Sequence, residues 1–159
     1  MVCTMRNFDV AQHCPAHAAA QFATMFHIPS FEPLAQAEVI SAGQLLRQRG
    51  TYPDSVLYVD SGSVVLGVRE EGQMRHQLGV VDGPAWLDAA FALTGKPCCV
   101  DMVADSRTRL RRVPLSAFQD GLNMLPATVV ALVRDMAHGY CQQTETAVSR
   151  LAQDAEARC

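Results

Sequence analysis

With 159 residues, 49% of them hydrophobic and 18% charged, the chain suits one globular domain with an appended helix and is neither a disordered nor a fibrous sequence. A net charge of −3 supplies no global field for nucleic acid. No apolar run reaches the roughly 18 to 20 residues that cross a bilayer, so a cytoplasmic protein with no membrane partner is expected.

The first 30 residues hold an Ala-rich stretch, Ala16 to Phe26, with Pro15 where a first helical turn tolerates it and Pro29 where a helix stops. A short leading helix is predicted there, behind a mobile arm. His13, Pro15 and His17 interrupt the segment where a signal peptide needs continuous apolar residues. Cys3 and Cys14 with His13 and His17 offer metal-ligand chemistry, but their spacing fits neither a C-x2-C knuckle nor an iron–sulfur cluster. The six cysteines, two of them adjacent and none behind a secretory signal, read as reduced thiols.

From Val39 the pattern changes to short β-branched or apolar runs: Val39-Ile40, Leu45-Leu46, Ser55 to Val59 and Ser63 to Val68. Turn residues separate them every 8 to 12 positions, as in a small barrel or sandwich. Asp60-Ser61-Gly62 predicts a tight turn and Glu70-Glu71-Gly72-Gln73 a hairpin tip. Met74, His76, Leu78 and Val80 are expected on one face of the next strand, and Val100 to Ala104 and Thr108 to Val113 complete the set. Between them, Trp86 to Leu93 has three alanines and no β-branched residue, which predicts a short helical insert.

After Pro114 the pattern is helical. Pro114 to Phe118 opens a short helix, Gly121 to Pro126 breaks it, and Ala127 to Arg158 runs without internal proline. Val129, Leu132, Val133, Met136, Tyr140 and Ala147 recur at helical steps along it. A helix of about 30 residues is about 45 Å long, more than a small barrel covers, so the stripe predicts a homodimer seam, with Gly139 a weak or close-approach point. Folding back wholly onto its own barrel is the alternative.

This order of elements resembles the cyclic-nucleotide-binding domain of the catabolite-activator and FNR (Crp/Fnr) family of transcription regulators. Val56 to Val64 resembles that family's Leu-Tyr-hydrophobic-x-x-Ser-Gly-x-Val strand and turn. Gly43 and Gly50 sit where the family places its glycines, and Arg111 to Phe118 resembles its Leu-x-x-Ile-Pro-x-x-x-Phe passage. The resemblance covers about residues 39 to 151 and implies a mainly β fold with flanking α: a double-stranded β-helix, or jelly-roll, barrel with a short N-terminal helix and a long C-terminal dimerisation helix. It divides the chain into an arm and helix at 1–30, a barrel at 31–118 and helices at 119–159. Glu156, Arg158 and Cys159 resemble the family's Glu-x-Arg-hydrophobic entry to a winged helix-turn-helix. The chain is accordingly expected to be the sensor part of a longer regulator, or else a stand-alone sensor, touching DNA only through an appended domain not in these residues.

The resemblance also locates the ligand cassette, residues 83 to 99. The family's pattern is Gly-x-hydrophobic-hydrophobic-Gly-Glu followed about ten residues later by Arg and then Ser or Thr. The carboxylate accepts the ribose hydroxyl, while backbone N–H groups and the arginine hold the cyclic phosphate. Here Gly83 matches the first glycine, Leu87 replaces the second, Asp88 replaces Glu, and Cys98 and Cys99 replace the Arg-Ser/Thr pair. Leu87 adds a side chain where backbone must approach the ligand. Cys98 offers no charge, and a buried phosphate without a cation is costly. Lys96 is a flexible point charge and no guanidinium fork. Weak or absent cyclic nucleotide binding is therefore expected in this cassette, which also includes Ala89, with no cofactor and an unidentified small-molecule effector; Trp86, Phe91 or other apolar side chains are expected to fill the pocket, or an unrelated ligand to occupy it.

Cys98 and Cys99 read first as buried small residues and second as a redox or electrophile sensor. Arg107, Arg109 and Arg111 share one strand face, read as solvated rather than as a partner surface. A metalloenzyme on a related barrel needs clustered His and carboxylate ligands, and only His76 lies in the strand region, so no enzyme activity is expected. An interaction module with a filled pocket is the remaining alternative to the regulator.

Overall fold

Eight strands and three helices follow one another in the computed structural model, which describes residues 35–156, with side chains to residue 153. The strands are β1 (Gln36–Ile40), β2 (Leu45–Arg47), β3 (Ser55–Ser61), β4 (Ser63–Glu70), β5 (Gln73–Asp82), β6 (Ala85–Leu87), β7 (Asp101–Ala104) and β8 (Thr108–Pro114). The helices are α1 (Ala89–Thr94), α2 (Leu115–Asn123) and α3 (Ala127–Glu156). The predicted leading helix, the arm with Cys3, His13, Cys14 and His17, and Arg158 and Cys159 lie outside the described residues.

Two four-stranded antiparallel sheets, ordered β1-β8-β3-β6 and β2-β7-β4-β5, give the mainly β, jelly-roll architecture. The interior between them is filled from both sides. Leu57, Val59 and Leu110 come from the first sheet, Leu46, Val64, Leu66, Val81 and Met102 from the second, and Leu87, Phe91, Cys98, Val100 and Cys141 from the cassette region and α3. A second apolar cluster lies on the other face of the first sheet, where Val56, Tyr58, Trp86 and Val113 meet Ala117, Phe118 and Leu122 of α2. Strand β3 is therefore covered on both faces, which explains its unbroken apolar run, Val56 to Val59.

The turn at Gly62 does not close a hairpin; it passes the chain from one sheet to the other. Gly62 has φ 97°, and a Cβ there would come within 2.7 Å of the Thr108 backbone, so a side chain is excluded on two counts. Glu71 and Gly72, both at positive φ, form the expected β4–β5 hairpin tip.

Two expectations need correcting. Register slips in the β4–β5 ladder turn Val80 outward and seat Val81 in the core instead, so the predicted row of Met74, His76, Leu78 and Val80 breaks at its last member. Trp86 and Leu87 are strand rather than helix: they pair with Tyr58 and Leu57, and the helix begins only at Ala89. The change of state falls at Asp88, whose φ of 55° is a left-handed conformation that ends the strand and starts the turn. Alanine-rich composition foretold the helix, but cross-strand pairing claimed its first two residues.

Helix α3 runs for 30 residues. Val133, Ala137, Cys141 and Thr144 are buried at steps of four, four and three, the spacing of one helical face, and Val148 continues the row against the barrel core. The C-terminal half of that row lies over α1. Cys141 Sγ is 3.6 Å from Thr94 Oγ1, and the Tyr140 and Phe91 rings meet edge-on at 6.2 Å between centroids.

Candidate functional site

The cassette starts at Gly83, whose N–H donates to the Gly62 carbonyl at 2.9 Å. A Cβ at Gly83 would stand 2.8 Å from Val59 Cγ1, so the glycine is required by close approach to β3. Trp86 follows on the α2 side, T-shaped against Tyr58 with centroids 5.0 Å apart and tilted against Phe118 at 5.9 Å. It belongs to the second cluster together with Ala89, while Leu87 and Phe91 enter the barrel core. Phe91 and Leu87 lie in the interior, whereas Trp86, expected in the pocket, braces the outer face.

Asp88 is the chemical centre of the cassette. Its side chain is 0% exposed. Oδ1 accepts the Leu57 N–H at 3.1 Å, and Oδ2 accepts Arg47 Nε at 2.9 Å and lies 2.8 Å from Arg47 Nη2. Arg47, from β2, is itself buried. It donates through Nη1 to Asp54 Oδ1 at 3.0 Å and through Nη2 to the Ser55 carbonyl at 2.8 Å. One guanidinium thus joins β2, the start of β3 and the cassette, and both oxygens of the Asp88 carboxylate are already engaged.

Burial pushes the Asp88 carboxyl up to about 7, against the pull of the Arg47 charge and the Leu57 amide. For Arg47 burial works against the charge, but Asp88 and Asp54 outweigh it and hold the guanidinium protonated. Asp54, at the exposed end, is drawn below the usual carboxylate range by its hydrogen bond from Arg47.

The far end of the cassette is tied down by backbone and by α3. The Cys98 N–H donates to Thr51 O at 2.9 Å and its carbonyl accepts the Gly50 N–H at 2.7 Å. Burial pushes the thiols of Cys98 and Cys99 up to about 12 and raises that of Cys141 as well, so none is a thiolate at neutral pH. Lys96 turns to the long helix. Its Nζ donates to both carboxylate oxygens of Glu145 on α3, at 3.0 and 3.3 Å, and this contact raises the ammonium's pKa.

The structure brings Leu87, Asp88, Cys98 and Phe91 together at the barrel interior and draws Lys96 away to the long helix. Among the residues assigned to a dimer seam, Val133 is buried within the chain and Tyr140 is engaged with Phe91. Val129, Leu132 and Met136 remain exposed, Leu132 at 60% and Met136 at 49%, and Ala147 is half-buried. Sequence reasoning missed Arg47 and Glu145. The signal for Arg47 was the demand itself: a carboxylate set in an apolar run needs a cation, and Arg47 is the charged residue that ends the apolar pair Leu45-Leu46.

Comparison with known proteins places this geometry. Residues 37–124, from β1 to the end of α2, match the family model for the cyclic nucleotide-binding domain. No curated protein matches the sequence. Among solved structures, a transcriptional regulator from Thermotoga maritima superimposes with a TM-score of 0.60 at 16% identity, over 76% of this chain and 95% of that one. The sensor domain of the transcriptional regulator DNR from Pseudomonas aeruginosa gives 0.59 at 15% identity, over 84% and 92%. The cAMP-bound EAL enzyme Bd1971 gives 0.58 at 13% identity over 76% of this chain, which spans only 32% of that enzyme. At such identities the likeness is one of fold.

Proposed function

Because this chain belongs to the cyclic nucleotide-binding domain family, we propose that it is the effector-sensing regulatory domain of a Crp/Fnr-type transcription regulator whose cassette does not take a cyclic nucleotide in the family's manner. The domain is a binding module and not a catalytic one. The observation that carries the reading is the Arg47–Asp88 pair: the carboxylate that would accept a ribose hydroxyl is buried and saturated by a guanidinium and an amide. At the phosphate end stand a buried Cys98 and a lysine engaged by Glu145. A cyclic phosphate entering there would face no free cation among the cassette's described residues, and the desolvation of its charge would go uncompensated.

The signal then travels by the contact between the insert and the long helix. Phe91, Thr94 and Lys96 touch Tyr140, Cys141 and Glu145, so any effector that moves α1 moves α3. Two copies joined along Val129, Leu132 and Met136 would convert that movement into a change of spacing between appended DNA-binding domains, a shift between two arrangements. The setting is the cytoplasm. A thermal-shift screen tests the reading. A ligand present at a hundred times its Kd adds about 2.7 kcal/mol of stability, so millimolar cyclic AMP and cyclic GMP should leave Tm unchanged; a rise of several degrees would refute it.

A further inference from the structure

Away from the cassette, the outer face of the first sheet carries a groove of about 260 Å³ lined by Val39, Ser61, Arg107 and Arg109. Ladder pairing sets three of these in one row across the sheet, because Arg109 opposes Val39 on one side and Ser61 on the other. Thr108 and Leu110 point into the barrel and are fully buried, so Arg109 necessarily points out. The neighbouring arginines on this sheet are neutralised: Arg111 by Asp60 and Arg112 by Glu38, each at 3.0 Å. Among the described residues no carboxylate pairs with Arg107 or Arg109, and the Ser61 hydroxyl is likewise uncommitted. Both guanidiniums are exposed and hydrated, so their mutual repulsion is modest, and an anion held between them would turn it into attraction.

We propose that this groove binds a phosphate monoester. Such a group carries a charge of about −1.5 to −2 at neutral pH and offers three acceptor oxygens, which matches two guanidiniums and one hydroxyl. A carboxylate or a phosphodiester brings a single charge and leaves one arginine unanswered. Val39, 58% exposed at the end of the row, supplies an apolar wall for the carbon side of the ester. The site shares no residue with the cassette. It takes either a phosphorylated metabolite or a phosphorylated side chain, since the recognised chemistry is the same.

Calorimetric titration of the full chain at low ionic strength, with phenyl phosphate, inorganic phosphate, dimethyl phosphate and a phosphoseryl peptide, tests the proposal. Phenyl phosphate should bind one to one, more tightly than inorganic phosphate, and at least about ten-fold more tightly than the singly charged diester. Affinity should fall below about pH 6, where the monoester gains a proton. Arg109→Ala and Arg107→Ala should each weaken binding about ten-fold or more while Tm stays put, since among the described residues neither side chain holds an internal ion pair. A peptide that outbinds phenyl phosphate identifies a protein source, and equal affinities a small-molecule source. No saturable binding of phenyl phosphate, or binding that survives both arginine substitutions, would overturn the assignment.

Discussion

Asp88 sits where water does not reach, and its state decides how the cassette end of the barrel responds to pH. Its folded pKa of about 7 lies above the ordinary 3.8, so between those values the folded chain holds a proton that the unfolded chain has lost. The Asp88 contribution to stability is therefore complete below about pH 3.8 and is lost as pH rises through 7. Urea unfolding from pH 4 to 8 should show this decline, and Asp88→Asn should flatten it. Arg47→Ala, which strips the buried carboxylate of its counter-charge, should cost about 3–5 kcal/mol at pH 8 and less at pH 5, where the carboxyl takes up a proton. An equal loss at both pH values would show that the pair's charge is irrelevant. The thiols of Cys98, Cys99 and Cys141 should resist alkylation in the folded chain at pH 7.5 and label on unfolding, as peptide mapping would reveal; rapid native labelling of Cys98 would revive a sensor role. At this scale the sequence disclosed Asp88, Leu87 and Cys98 as departures from a pattern. It hid Arg47, because the partner lies 41 positions earlier and meets Asp88 only when β2 and the cassette close on each other.

Among the elements, alternation and turn residues made most strands legible, and the single long helix was visible from its apolar period and its lack of proline. What local reading could not supply was the effect of pairing. Leu87 and Trp86 became strand because β3 offered an edge to hydrogen-bond, and Val80 was turned outward by slips in a ladder whose other strand determines the register. The apolar stripe of α3 likewise divides in two. Val133, Ala137 and Cys141 serve the chain's own core, while Val129, Leu132 and Met136 follow steps of three and four on a separate, exposed line. If two copies join along that line, Leu132→Asp should shift a sedimentation profile from dimer to monomer with little change in Tm. Val133→Asp should instead unfold the chain. A monomeric wild type at high concentration would remove the seam.

At the scale of the whole molecule, fold and ligand chemistry separate. Two facing sheets, an insert helix and a long terminal helix are kept, and they depend only on where apolar residues recur and where glycines permit turns. The cassette's polar side chains are committed within the chain: the Asp88 carboxylate to Arg47 in the interior and Lys96 to Glu145 at the surface, with the buried Cys98 at the far end. Helices α1 and α3 meet through the Phe91–Tyr140 rings and the Thr94–Cys141 contact. Isothermal titration of the purified chain with cyclic AMP and cyclic GMP tests this separation most directly. The predicted result is no measurable heat of binding through the micromolar range; saturable micromolar binding of either nucleotide would contradict the closed cassette.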